Sequence, residues 1–220
     1  MATPDKKGKD LVQYNVQNAV YALADVTAGE VKPLTYMNTF TKDRNVSVKA
    51  FYGDGEMQDS AYSDLSISGA IGTTARDTDL EKDLGFMQSL KDGLLAEVAV
   101  TGAKRVHLGF ETFIKKKGEA TQVKRVWVLN VQISPPNESL TQTKEDITES
   151  TFDYNYTGYG MNMKKADGTA DYVDENGMKK KVFTLSARPG DAGYDAFFAK
   201  VPVPTVVTEA QGTTTTNTNT

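Results

Sequence analysis

Apolar and polar residues alternate along seven separate stretches of this chain, and a two-residue period is incompatible with an architecture built mainly of helices. Asn18 to Asp25 (NAVYALAD), Asn45 to Phe51 (NVSVKAF), Asp64 to Ile71 (DLSISGAI), Val106 to Ile114, Val123 to Ile133, Phe152 to Met161 and Lys181 to Ala187 each read as a strand. Val46, Val48 and Ala50 share a face of the second stretch, and Leu65, Ile67, Gly69 and Ile71 share a face of the third. The expected fold is mainly β: a β-sandwich or partial barrel of two packed antiparallel sheets, with a flanking short α-helix and extended N- and C-terminal arms.

The run RVWVLNVQISPP, Arg125 to Pro136, raises a sharper question. Trp127, Leu129, Val131 and Ile133 form one wholly apolar face, expected in the core. The other face changes from Val126 and Val128 to Asn130 and Gln132. A neighbouring element or subunit is expected over the two valines and solvent over the two amides, before Pro135 and Pro136 end strand pairing.

Two helices interrupt the pattern. Thr78-Asp79-Leu80-Glu81 has the form of a capping box, with Leu80 and Leu84 on one face and Gly85 available to end the helix. Asp191 can cap a second helix in which Tyr194, Phe197 and Phe198 make an apolar stripe. Lys115 to Glu119 (KKKGE) reads as a hairpin tip and Lys91-Asp92-Gly93 as another turn. Phe51 to Tyr62 (FYGDGEMQDSAY) reads as a long, glycine-bearing connection with aromatic residues at both ends, the kind of exposed loop that contacts something. Asn137 to Ser150, polar but containing Leu140 and Ile147, is either a second interface segment or a long connector.

The chemistry of the chain excludes more than it supports. A chain of 220 residues with 25 basic and 29 acidic side chains has a net charge of −4, and its field does not favour phosphate backbones. With no cysteine there are no disulfides, thiolate metal sites or cysteine nucleophiles. The only histidine, His107, sits inside a strand pattern with no nucleophile motif beside it, so it reads as a strand residue and not as a general base. The acidic groups Asp77, Asp79, Glu81, Asp83 and Asp171, Asp174, Glu175 do not follow calcium-loop spacing. The first suits a helix N-terminus and the second an acidic turn. Gly53-Asp54-Gly55 and Gly158-Tyr159-Gly160 open no helix and read as bends or bulges instead of phosphate cradles. No catalytic, cofactor-binding or metal-binding residues are assigned, no cofactor is expected, and the chain is not read as an enzyme.

The N-terminus has no apolar signal region, and no run approaches the length needed to cross a bilayer, so synthesis in the cytoplasm without membrane insertion is expected. Residues 1–17 read as an arm, 18–204 as the β domain and 205–220 as a disordered Thr/Asn-rich tail.

The order of segments resembles the major tail proteins of phages with long non-contractile tails, especially the phi13-type group. The resemblance lies in NAVYALADVTAGEVKPL, NVSVKAFYGDGEMQDSAYSDLSISGAIG, DTDLEKDLG, the span from VHLGFETF to FDYNYTG, and PGDAGYDAFFAKV, together about residues 18 to 201. No single motif is specific; their order and spacing are. The chain departs from the group in a longer N-terminal extension and in a Thr/Asn tail where some relatives carry an immunoglobulin-like domain.

The resemblance implies a tail tube fold and a structural virion protein. Its copies would form hexameric rings stacked into a tube around a tape-measure protein. The tube would end at a tail terminator and a distal tail protein, and double-stranded DNA would pass through it without sequence-specific contact. By that resemblance Tyr52, Asp54, Met57 and Tyr62 are candidate oligomer contacts, with Leu140 and Ile147 as further candidates. The competing reading is a monomeric β-sandwich binding module of a phage tail or baseplate, for carbohydrate or receptor, using a wet aromatic patch at Phe152, Tyr154, Tyr156 and Tyr159, although alternation places Phe152, Tyr154 and Tyr156 on one face and favours core packing for them.

Overall fold

A computed structural model describes residues 12–25, 30–54, 56–102, 104–116, 118–139, 151–175 and 177–207. The strands in chain order are β1 (Val12–Leu23), β2 (Lys32–Pro33), β3 (Met37–Phe40), β4 (Asp43–Gly53) and β5 (Glu56–Thr73). Helix α1 (Thr78–Leu84) is followed by β6 (Met87–Ser89), a single 3-10 turn at Lys91–Gly93, β7 (Leu95–Glu97), β8 (Arg105–Lys115) and β9 (Gln122–Ile133). The remainder comprises β10 (Asn137–Ser139), β11 (Thr151–Gly158), β12 (Met161–Asn162), β13 (Lys181–Val182) and β14 (Thr184–Ala187). The protein is mainly β, with all strand pairs antiparallel and one short α-helix among the described residues.

Ten strands join in one sheet along the path β2-β1-β8-β9-β11-β5-β3, with β10 on β11, β14 on β9 and β4 on β5. The sheet curls until its ends meet. Phe40 of β3 lies 4.5 Å from Phe110 of β8 and 5.6 Å from Tyr156 of β11, ring centre to ring centre. The enclosed core holds Tyr21, Ile67, Ile71, Val106, Phe152 and Tyr154, and α1 closes one end with Leu80 and Leu84. Along β11 the buried residues are Phe152, Tyr154 and Tyr156, so these aromatics are core and not a wet patch.

A bulge explains the divided face of β9. Asn130 has a left-handed φ of 53°, and the β8–β9 register slips there: Val106 opposes Val131 while Leu108 opposes Val128. One extra residue reverses which face each later side chain takes. Before the bulge Val126 and Val128 enter the main core; after it Val131 and Ile133 do. Trp127 and Leu129 point the other way, into a second cluster with Ala187 and Phe197. The expectation that Trp127, Leu129, Val131 and Ile133 share one face is therefore corrected, and the cover over the outer face is the chain's own C-terminal segment. Asn15 and Asn18, at φ 63° and 48°, mark two further register shifts in β1. Asparagine is the non-glycine residue best suited to that conformation.

A bulge also breaks the expected face of β5. Asn45 opposes Ser66 but Val46 opposes Asp64, so Leu65 is the extra residue; it is exposed while Ile67 and Ile71 are buried.

Helix α1 starts one residue earlier than the capping box implied. Asp77 is the N-cap, its carboxylate accepting from Leu80 N–H at 3.0 Å, and Gly85 ends the helix at φ 82°. Glu81 is thereby released from capping. It is fully buried, and its carboxylate receives both Nε and Nη2 of Arg76, at 3.0 and 2.6 Å, and the Tyr154 hydroxyl at 2.6 Å. Asp77 also accepts from the Thr35 backbone N–H and hydroxyl, and Asp83 accepts from Tyr21 and Lys32. Acidic residues thus wire the helix to the sheet.

The second expected helix is absent. Between Arg188 and Ala199 the backbone makes successive tight turns, with Tyr194 N–H on Asp191 O, Phe197 N–H on Tyr194 O and Ala199 N–H on Ala196 O. Gly190 at φ 100° and the nearby prolines Pro189 and Pro202 leave little room for a continuous helix. The aromatic stripe is used all the same. Trp127 donates its indole N–H to Phe197 O at 2.7 Å and meets Phe198 edge to face, while the Arg125 guanidinium stacks on Tyr194.

Strand β1 begins at Val12, so residues 12–17, assigned to the arm, belong to the sheet. Residues 1–11 and 208–220 lie outside the described residues.

Candidate assembly surface

The segment Phe51–Tyr62 is not a loop. It is the outer part of a two-stranded ribbon, in which β4 pairs with β5 from Asp43↔Ser68 to Gly53↔Glu56, leaving only Asp54 and Gly55 as the connection. Asp54 takes φ 54°, as a two-residue hairpin turn demands of its first central residue. The Asp-Gly pair between alternating residues was the sequence signal for this turn; the glycines on either side of Asp54 had suggested a bend.

Strand β5 has 18 residues, but only Ile67 to Thr73 pair with β11. Beyond that point the ribbon leaves the body. Described side chains from Val46 to Tyr52 and from Glu56 to Ser60 are exposed, apart from half-buried Ala50. Pleating puts Val46, Val48, Ala50 and Tyr52 on one face, and the register sets Met57 opposite Tyr52 and Tyr62 opposite Val48. Tyr52 and Met57 are 73% and 62% exposed, so an apolar stripe lies open on one side of the ribbon. The opposite face is mixed, with the Lys49 ammonium over the Phe51 ring.

Tyr52, Asp54 and Met57 therefore gather at the ribbon's end, and Tyr62 lies further down β5, where its side chain is outside the described set. Leu140 and Ile147 also lie outside the described residues. Sequence reasoning had not singled out Val48 and Leu65 as exposed apolar residues, because alternation does not reveal which face of a strand is covered.

Strand edges are open as well. Among the described residues β4 pairs only with β5, and β14 only with β9. The β9 edge is shared: β14 takes Arg125 to Val128 and β11 takes Val131 to Ile133. Beside β14 this division leaves a groove, formed by adjoining cavities of about 510 and 310 Å³ that share Lys42 and Thr184. Phe40, Phe110, Val126, Val128 and Phe183 line it, with Lys42, Arg44, Lys124 and Lys181 as its charged residues. No carboxylate lines either cavity, although Arg44 pairs with Asp64 of β5 just outside them.

His107 performs a structural task. Its Nδ1 accepts the Asn130 backbone N–H at 3.2 Å, the donor freed by the β9 bulge, and burial lowers its pKa to about 4 despite the nearby Asp25 charge. Of the acidic residues in the two sequence groups, Asp77, Glu81, Asp83, Asp171 and Asp174 are likewise engaged. Lys164 and Lys179 flank Asp171 and hold its carboxyl well below the usual range. Among the described residues no three His, Asp or Glu side chains are placed to hold a metal ion, and no helix is long and apolar enough to cross a membrane.

Neither protein-family models nor curated protein sequences give a match to this chain.

Proposed function

We propose that this protein is the subunit of a phage tail tube, a structural virion protein whose copies associate into hexameric rings and stack into a hollow conduit. The observation that carries this reading is the β4–β5 ribbon, which leaves the body with an apolar stripe exposed on one face and an unpaired edge. A lone two-stranded ribbon has marginal stability in water, and open strand edges are templates for pairing. Contact with further copies covers both. The segment resemblance supplies the rest: a tape-measure protein inside the tube, a tail terminator and distal tail protein at its ends, and non-specific passage of double-stranded DNA. Six copies at −4 give a ring of about −24, and a negative wall repels phosphate and lets DNA slide. On this reading the protein works in the virion after assembly in the host cytoplasm, without catalysis or cofactor.

Negative-stain microscopy of the concentrated, purified chain tests the proposal. Tubes or sixfold rings are expected. Stable monomers at all concentrations would favour a monomeric binding module.

A further inference from the structure

The ribbon and the groove match each other. From Ala50 to Ser60 the ribbon carries Asp54, Glu56 and Asp59 and no cation. Its apolar members Phe51, Tyr52 and Met57 are all exposed. The groove beside β14 presents the reverse charge over an aromatic and aliphatic floor, in a chain whose net charge is negative. One surface projects and the other is concave. The unpaired edge of β14 runs along the groove and offers backbone hydrogen-bonding groups to an incoming strand.

A ribbon cannot serve its own groove. Lys42 immediately precedes β4, and the eleven strand residues from Asp43 to Gly53 carry the tip about 35 Å away at the rise of an extended strand. Folding back would break the β4–β5 ladder. The occupant must come from a second copy, and since tip and groove are different surfaces, each copy has one of each to offer. Such a heterologous contact repeats into a closed ring or an open stack and does not stop at a dimer.

We propose that the acidic, aromatic tip of the β4–β5 ribbon of one copy seats in the cationic groove beside β14 of the next. This placement rests on the self-assembly proposed above and adds to it the receiving surface. Tyr52 and Met57 lie against the half-buried Phe40 and Phe183, while Asp54, Glu56 and Asp59 face Lys42, Lys124 and Lys181.

Two measurements on the full chain test it. The sequence has no cysteine, so a Tyr52→Cys variant and a Ser186→Cys variant each introduce a single thiol. Mixed and oxidised under assembly conditions, they are expected to give heterodimers joined tip to groove. Polymers that form normally without that cross-link would overturn the placement and leave self-assembly standing. A wild-type chain that never associates would overturn both.

Charge reversal supplies the second measurement. Asp54→Lys/Glu56→Lys/Asp59→Lys and Lys42→Glu/Lys124→Glu/Lys181→Glu are each expected to raise the concentration needed for assembly by about tenfold or more, since like charges then face one another. Circular dichroism and melting temperature identify any variant that fails to fold. Mixing the two sets restores opposite charge at every contact and is expected to restore assembly. Failure of the mixture, with both variants folded, would count against the pairing. Groove variants that assemble normally but lose binding to a short DNA duplex would assign the cations to nucleic acid and overturn the proposal.

Discussion

At the scale of single residues, Asn130 and His107 form one device. The bulge needs a left-handed residue, and the backbone N–H it frees needs an acceptor. Asn130 also donates its side-chain amide to Gly160 O at 2.9 Å. Asn130→Gly keeps the conformation and removes only this bond, at a cost of about 1 kcal/mol. Asn130→Ala adds backbone strain and should cost about 2 to 3 kcal/mol in urea denaturation. Equal costs would mean the left-handed conformation contributes nothing. His107 has a folded pKa of about 4, below the ordinary 6.5, so the unfolded chain takes up its proton first. Its contribution is complete above pH 6.5 and is lost as pH falls from there toward 4, a change on the order of 3 kcal/mol. The wild-type urea midpoint should fall through that window, and His107→Gln should flatten the profile above the carboxylate range.

At the scale of elements, α1 is held by its buried carboxylates as much as by its leucines. Glu81→Gln removes the buried partner of Arg76, leaving the guanidinium only the more exposed Glu97 and Glu138, and should cost about 3 kcal/mol, the low end for an ion pair broken on one side. Tyr154→Phe removes the hydrogen bond to Glu81 and a longer one accepted from Asp77 N–H, and should cost about 1.5 kcal/mol. Denaturation of the two variants checks the order, and a greater loss for Tyr154→Phe would show that the ion pair is not the main tie. The sequence marked α1, its Gly85 terminus and the strand cores correctly, since these follow from local period and end chemistry. Asp77 as cap was missed because Thr78 with Glu81 fits the capping pattern equally well, and only the half-buried Arg76 and the buried Tyr154 decide where Glu81 goes. The faces of β5 and β9 were misread at Leu65 and Asn130, where one inserted residue reverses the alternation. The second helix failed because its aromatic stripe is positioned by Trp127 and Arg125 across the fold, and those contacts suit turns as well as a helix.

At the scale of the whole molecule, body and ribbon divide the work. The main core gathers residues from β1, β5, β8, β9, β11 and α1, while no described buried residue comes from the ribbon beyond Leu65. Joining Ser47 directly to Ser63 through an Asn-Gly turn keeps the register and deletes the outer ribbon. The shortened protein should melt within a few degrees of wild type, because no described buried side chain is lost, and should no longer assemble under microscopy. Normal tubes from it would remove the ribbon from the interface. The sequence singled out Tyr52, Asp54 and Met57, which the structure gathers at the exposed ribbon end, but not the groove, since Lys42, Lys124 and Lys181 are far apart in the chain. Strand β5 runs unbroken from the tip turn to within a few residues of α1, and near its base it is laced on both sides, by β11 and by β3 and β4. A pull applied at the tip therefore travels lengthwise and loads many hydrogen bonds together in shear, where a transverse strand would be peeled away one bond at a time. In the proposed assembly the ribbon would act as a tension member, and a filament tied by such members would bend without coming apart at its joints.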